Sequence, residues 1–224
     1  MAVINDPVSA ANIQRVGEAG RMSAQIHNMP VPGNWYRYSG FTGTIGAALA
    51  ADSELLQFRF LSGTKTFALV YKVVFDGLGI VAVATAAGPL GFKMRPARAW
   101  SAAGSGGTRI AVSGDNLQLE TALPNSQIND LGIATTGALT AGTKTKDANA
   151  IGQAIGGVGT AAVTAYGPTS IVTPQPLFDA SAAGGMPLVL ANQEGFVIET
   201  THAGPAALTY VAGFTVVWCE VSAF

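Results

Sequence analysis

Charge is scarce in this chain: 12 basic and 13 acidic residues stand among 224, well under the usual quarter of a globular protein. With a net charge of −1 and a pI of about 6.1, no basic surplus exists to neutralise phosphates. That argues against nucleic acid as a partner. Cysteine occurs once, at Cys219, so no disulfide can close within the chain. The two histidines, His27 and His202, are too few for a His-based zinc site without clustered carboxylates. Long apolar runs are also missing. The most apolar stretch, residues 77–92, is too short to span a bilayer and is broken by four glycines and a proline. The opening Met1-Ala2-Val3-Ile4-Asn5-Asp6-Pro7 lacks the basic and apolar regions of a signal peptide. The expectation is a soluble protein assembled in a cytoplasm, with no membrane and no nucleic acid among its partners.

Helical periodicity is nearly absent too. The many alanines are interleaved with Gly, Thr and Val, and few stretches offer an apolar face at i, i+3, i+4, i+7. What is present is β pattern. It starts at Trp35 and continues over 55–60, from Phe67 to Phe75, from Gly79 to Thr85, and over Ile128–Thr135, Val189–Leu190, 196–201 and 208–221. Asp76-Gly77 reads as a turn. Residues 109–112 and 117–121 read as a hairpin around Ser113-Gly114-Asp115-Asn116, and 194–221 as a hairpin-like sandwich edge. Short strands with Gly-rich turns predict an all-β protein, an antiparallel β-sandwich that is jelly-roll-like. Residues 1–35 are polar with scattered apolar positions and turn-rich at Met29-Pro30-Val31-Pro32-Gly33-Asn34. They read as an extended N-terminal arm, with a short helical piece over 10–19, ahead of a sandwich domain over 36–224. An arm of this kind docks on a neighbouring subunit or frays. Residues 148–178 carry no charge at all. A segment packed along a sheet face or a neighbouring subunit explains this better than a solvated loop.

No chemistry-bearing constellation stands out. Gly157-Val158-Gly159-Thr160-Ala161-Ala162 fits G-x-G-x-x-A, but Tyr166-Gly167-Pro168 interrupts the helix that dinucleotide binding needs. Cys219 would need a base to act as a nucleophile. His202 is the one histidine placed to reach it across a hairpin, and a buried structural cysteine is the simpler reading. Asp115, Glu120, Asp130, Asp147, Asp179, Glu194 and Glu199 are dispersed, and no two form an acid/base pair by spacing. The reading is therefore non-enzymatic, with no cofactor and no metal. Trp35, Tyr36, Tyr38 and Phe41 form an aromatic cluster that serves as a sugar platform, as a protein hot spot, or as the anchor of the arm on the core.

Three segments together resemble tailed-bacteriophage virion structural proteins. They are Asp6-Pro7 with Gly20-Arg21-Met22; residues 51–60, ending Phe58-Arg59-Phe60, followed by Ala68-Leu69-Val70-Tyr71-Lys72-Val73; and Asn192-Gln193-Glu194-Gly195-Phe196-Val197-Ile198 with Phe214-Thr215-Val216-Val217-Trp218-Cys219-Glu220-Val221. They cover about a third of the chain, in order from end to end. Glu199 stands where the resemblance leads one to expect a basic residue. The resemblance implies a place in the virion and supplies no catalytic residue. Within that setting the expectation is a capsid decoration, cement or head-vertex protein, a homo-oligomer with a trimer favoured, whose partners are the major capsid protein or other virion proteins. Subunit or capsid contacts are expected at Trp35, Tyr36, Tyr38, Phe41, Ile151, Ile155, Val158 and Tyr166. The alternative is a fibre or a receptor- or carbohydrate-binding module, with Trp35, Tyr36, Trp100 and Tyr166 as platforms.

Overall fold

Twelve β-strands and no helix make up the described part of the protein. The computed structural model describes residues 33–222 apart from 83, 87, 112–116, 120–124 and 159–173. The strands are β1 (Asn34–Phe41), β2 (Glu54–Phe60), β3 (Phe67–Ala82), β4 (Gly88–Ala102), β5 (Gly107–Arg109), β6 (Ile128–Ala134), β7 (Thr143–Lys146), β8 (Gly152–Val158), β9 (Gln175–Asp179), β10 (Leu188–Leu190), β11 (Glu194–Thr200) and β12 (Thr209–Val221). They form two antiparallel sheets packed as a sandwich. One has the order β1-β12-β3-β10, with β9 also on β3. The other has the order β5-β6-β2-β11-β4-β7, with β8 also on β4. Eight strands in chain order (β1, β2, β3, β4, β8, β9, β11, β12) run 1-8-3-6 in the first sheet and 2-7-4-5 in the second. That is the jelly-roll path: apart from β4 and β8, which pair within one sheet, successive strands of this set alternate between layers.

The inward positions are aromatic. Phe58 stacks on Phe196 at 4.8 Å and meets the edge of Trp218 at 5.1 Å, while Tyr36 lies along Trp218 at 5.6 Å. Phe75, Phe92, Phe214 and Tyr210 continue the layer. Each such pair adds about 0.5–1.5 kcal/mol to the burial of the rings themselves. The alternation that a half-buried strand requires is visible in β1, where Tyr36 and Tyr38 point inward and Arg37, Ser39 and Phe41 outward.

Several expectations are corrected here. The segment 194–221 is not a hairpin at a sandwich edge. β11 lies between β2 and β4 in one sheet, and β12 between β1 and β3 in the other. Both are interior strands, which is why nearly every residue of each is buried. Asp76-Gly77 does not turn the chain. β3 runs through it, and the register skips Asp76, pairing Phe214 with Phe75 and Gly213 with Gly77. This is a bulge, with Gly77 at φ 155°. The arms of the proposed 109–121 hairpin find different partners where they are described. β5 pairs with β6, whereas Leu117 accepts from the Arg37 amide and Leu119 donates to the Trp35 carbonyl. Asn34 and Trp35, assigned to the arm from sequence, are strand residues facing Glu220 and Cys219. The rest of the arm and its helical piece lie outside the described residues.

Candidate contact surfaces

The two outer faces of the sandwich differ. On the five-stranded sheet, Trp35, Cys219, Leu69 and Val189 form one row across β1, β12, β3 and β10. The Trp35 and Tyr71 rings lie 4.6 Å apart. Because β12 runs between the strands that carry them, the rings meet above β12 and cover its apolar outer positions. At the far end of the face Phe41 lies opposite Gly213, which lies opposite Gly77. The bare backbone of Gly213 is what admits the ring: a Cβ there would meet it. Phe41 remains 69% exposed and Val81, farther along β3, 59% exposed. The charges on this face are few: Arg37, Lys72 paired with Asp179 at 3.5 Å, and Asp76, which accepts from Thr215 Oγ1 at 2.7 Å.

The contact residues expected from sequence therefore divide. Phe41 is an outward, exposed aromatic. Trp35 is half-buried on Tyr71. Tyr36 and Tyr38 are core residues and leave the contact set. Burial pushes both phenols up to about 12, with the charge of Glu220 adding to the effect at Tyr36. Alternation along β1 forces this division, since four aromatics spaced by one, two and three residues cannot share one face. Ile151 and Ile155 are exposed, but on the other layer, where β8 forms an edge beside β4. The side chain of Val158 and all of Tyr166 lie outside the described residues. Of the sugar-platform aromatics, Tyr36 and Trp100 are fully buried.

The β8 edge is closed by a side chain. The Gln175 amide donates to the Ile155 carbonyl and accepts from the Ile155 N–H, both at 3.2 Å. A primary amide thus takes the place of a neighbouring strand and blocks further strand addition there.

On the seven-stranded sheet the outer face is covered by the chain itself. Residues 98–107 and 138–147 fold over β2 and β11, with Trp100 packed on Ala97 and Val197. Beneath them sits an ionic layer that sequence spacing does not disclose. Glu54 and Glu199, cross-strand neighbours on β2 and β11, are both buried. Lys144 binds Glu54 at 2.8 Å, and Lys146 binds Glu54 at 3.4 Å and Glu199 at 2.7 Å. From β4, Arg95 and Lys93 reach Glu199 at 3.2 and 3.6 Å, and Lys93 also binds Asp52. Gln57 ties the layer together, donating to Glu54 at 2.6 Å and to the Thr140 carbonyl at 2.8 Å, and accepting from the Gly104 N–H. Burial pulls Lys144 below the ordinary lysine range despite Glu54. Burial also opposes the Lys146 ammonium, but Glu199 and Glu54 outweigh it and hold its pKa high. The Lys93 hydrogen bond lowers Asp52. The sequence spacing between Glu54 and Glu199 is far too long for any local motif; only strand order could bring them together.

The remaining candidates do not assemble. Cys219 is buried on β12, while His202 is exposed in the loop before it, Nδ1 against Thr201 Oγ1. Cys219 lies ten residues into β12, about 30 Å along the strand from Thr209. Among the described residues no three His, Cys, Asp or Glu side chains group as a metal site. Gly157 belongs to β8, opposite Pro89. No known protein family matches the chain, and no match is found among curated proteins or solved structures.

Proposed function

We propose that this chain is a non-enzymatic structural subunit of a tailed-phage virion, a capsid decoration, cement or head-vertex protein that acts through contacts with like subunits and the shell. The observation that carries the reading is the outer face of the five-stranded sheet. It is apolar, poor in charge, and ends in the exposed Phe41 and Val81, while the opposite face is covered by the chain's own loops. Interface cores are depleted of charge and enriched in aromatics in this way. The resemblance of residues 51–60 with 68–73, and of 192–198 with 214–221, to virion proteins supplies the setting.

A closed ring such as a trimer fits two unlike exposed apolar patches, Phe41 with Val81 on one layer and Ile151 with Ile155 on the other, with Leu119, Met186 and Val189 exposed besides. Joining unlike patches head to tail closes into a ring, whereas a two-fold dimer needs one patch that matches itself.

Light scattering on the purified protein should give a trimer mass, and the protein should saturate capsids lacking it at a fixed stoichiometry. Phe41→Asp and Ile155→Asp should each be monomeric. Mixed together they should form a one-to-one dimer, since one intact pairing of unlike patches remains. A wild-type monomer that ignores capsids, or variants that stay trimeric, would overturn the reading.

A further inference from the structure

We propose that β7 and its flanks, residues 140–147, form an acid-released clasp over the seven-stranded sheet. The clasp is held chiefly by charge. β7 is an edge strand, in register with β4 at only three positions, with a shift between Arg98 and Ala102. Leu139, just before the clasp, is anchored in the main core and donates to the Glu54 carbonyl; beyond that anchor the apolar seal is small, Trp100 with Ala97 and Val197, a cluster apart from the main core. What binds it down is Lys144 and Lys146 on Glu54 and Glu199, with the Gln57 amide on the Thr140 carbonyl and a Lys144 ammonium 4.4 Å from the Trp100 ring centroid.

Protonating the two carboxylates affects the two sides of the layer unequally. On β4, Lys93 keeps Asp52, and Arg95 keeps the Ala148 carbonyl. On β7, Lys144 and Lys146 have no acidic partner among the described residues other than Glu54 and Glu199. The Lys144 side chain is 1% exposed. A buried ammonium that loses its counter-charge is strongly disfavoured in place, and the movement available to it is outward with its strand. The charged groups facing the pair are thus Lys93 and Arg95 from β4, Lys144 and Lys146 from β7, and Asp52 from the loop before β2. Arg98, Asp147 and Glu194 form an exposed trio at the end of the clasp. No side chain of 140–147 belongs to the main apolar core, whereas Leu139 does, so release beyond Leu139 is local and leaves the sandwich folded.

Acrylamide quenching tests this in a Trp35→Phe background. There Trp100 reports the clasp, and Trp218, fully buried in the core, stays silent unless the whole protein unfolds. The opening constant should grow about tenfold per pH unit for each carboxylate that takes up a proton, while far-UV circular dichroism holds steady. Glu54→Gln with Glu199→Gln should leave Trp100 open at neutral pH. Lys144→Met with Lys146→Met should invert the response, because its buried carboxylates are unpaired by these lysines when ionised and tolerated when neutral. Deuterium exchange on the unmodified chain gives the same test without substitution. Exchange over 140–147, corrected for intrinsic rates, should accelerate in acid while β12 stays protected. A Trp100 that stays shielded until circular dichroism is lost, or equal acid response of the two segments, would overturn the clasp. None of these readouts depends on oligomer state or capsid binding, so its failure is separate from failure of the virion reading.

Discussion

Replacing Trp218 by Phe should destabilise the protein by an amount that grows with pH. Glu220 takes an inward position at the end of β12 and is fully buried. Its carboxylate accepts from Ser126 Oγ at 2.6 Å, from the Gln127 N–H at 3.0 Å and from Trp218 Nε1 at 3.1 Å. Burial raises its pKa, and those three donors oppose the rise without cancelling it. A carboxyl raised on folding contributes stability that is fully present below the ordinary carboxylate range and lost as pH climbs through the raised value. Removing the indole N–H lifts the pKa further, so the variant loses more at high pH. The smaller ring costs about 1–2 kcal/mol of packing at any pH. The lost hydrogen bond adds about 1.5–3 kcal/mol when Glu220 is ionised and about 0.5–1.5 when it is neutral. The expected loss is therefore about 2 kcal/mol at the acid end of the pH range, where Glu220 is neutral, and about 3–4 at the alkaline end, where it is ionised. Urea denaturation of both proteins at each pH, followed by far-UV circular dichroism, measures the difference. A loss independent of pH, or larger in acid, would refute the assignment of Glu220 as a buried carboxylate steadied by Trp218.

Gly152→Ala should lower stability by about 1–3 kcal/mol, read as a fall in Tm, because a methyl there would overlap the Leu177 carbonyl and push β8 from β9. Gln175→Ala should cost about 1 kcal/mol or less, its bonds being exposed. Its larger effect should be concentration-dependent aggregation through the opened β8 edge, seen by light scattering. Ala99→Gly should stabilise by about 0.5–1 kcal/mol, since Ala99 holds φ 48° where β4 shifts register; an unchanged Tm would argue against strain there.

The β class and many strand positions were legible in the sequence because the evidence for them is local. Ile128–Thr135 and 208–221 show β-branched and aromatic enrichment or alternation and form strands within a residue of the reading, while the strand read as Phe67–Phe75 starts where expected but runs on to Ala82. Partner choice was not legible. Residues 194–201 and 208–221 look like hairpin arms because a short loop joins them, yet that loop crosses between layers, a path that only the competing claims of β2, β4, β1 and β3 can decide. β4 escaped because its apolar stretch runs into Lys93, Arg95 and Arg98, which look solvent-facing until the ionic layer is seen. In the aromatic cluster, alternation alone would have separated Tyr36 and Tyr38 from Phe41. Glu54 with Glu199 lay beyond any spacing argument.

The placement of β12 also dictates an order of events. It is the last of the described strands, yet β1 and β3 meet only through it: Asn34 faces Glu220, and Phe67 faces Val221. Until this strand is available, β1 and β3 are left with exposed backbone edges and half of the aromatic layer has no opposing surface. Such late, distant pairing is slow, and it prolongs the time in which sticky edges are open to other chains. During synthesis the nascent protein must wait, sheet unfilled, until nearly all of these strands have left the ribosome. Its yield in a cell should then depend on temperature and chaperone supply far more than the stability of the finished sandwich suggests.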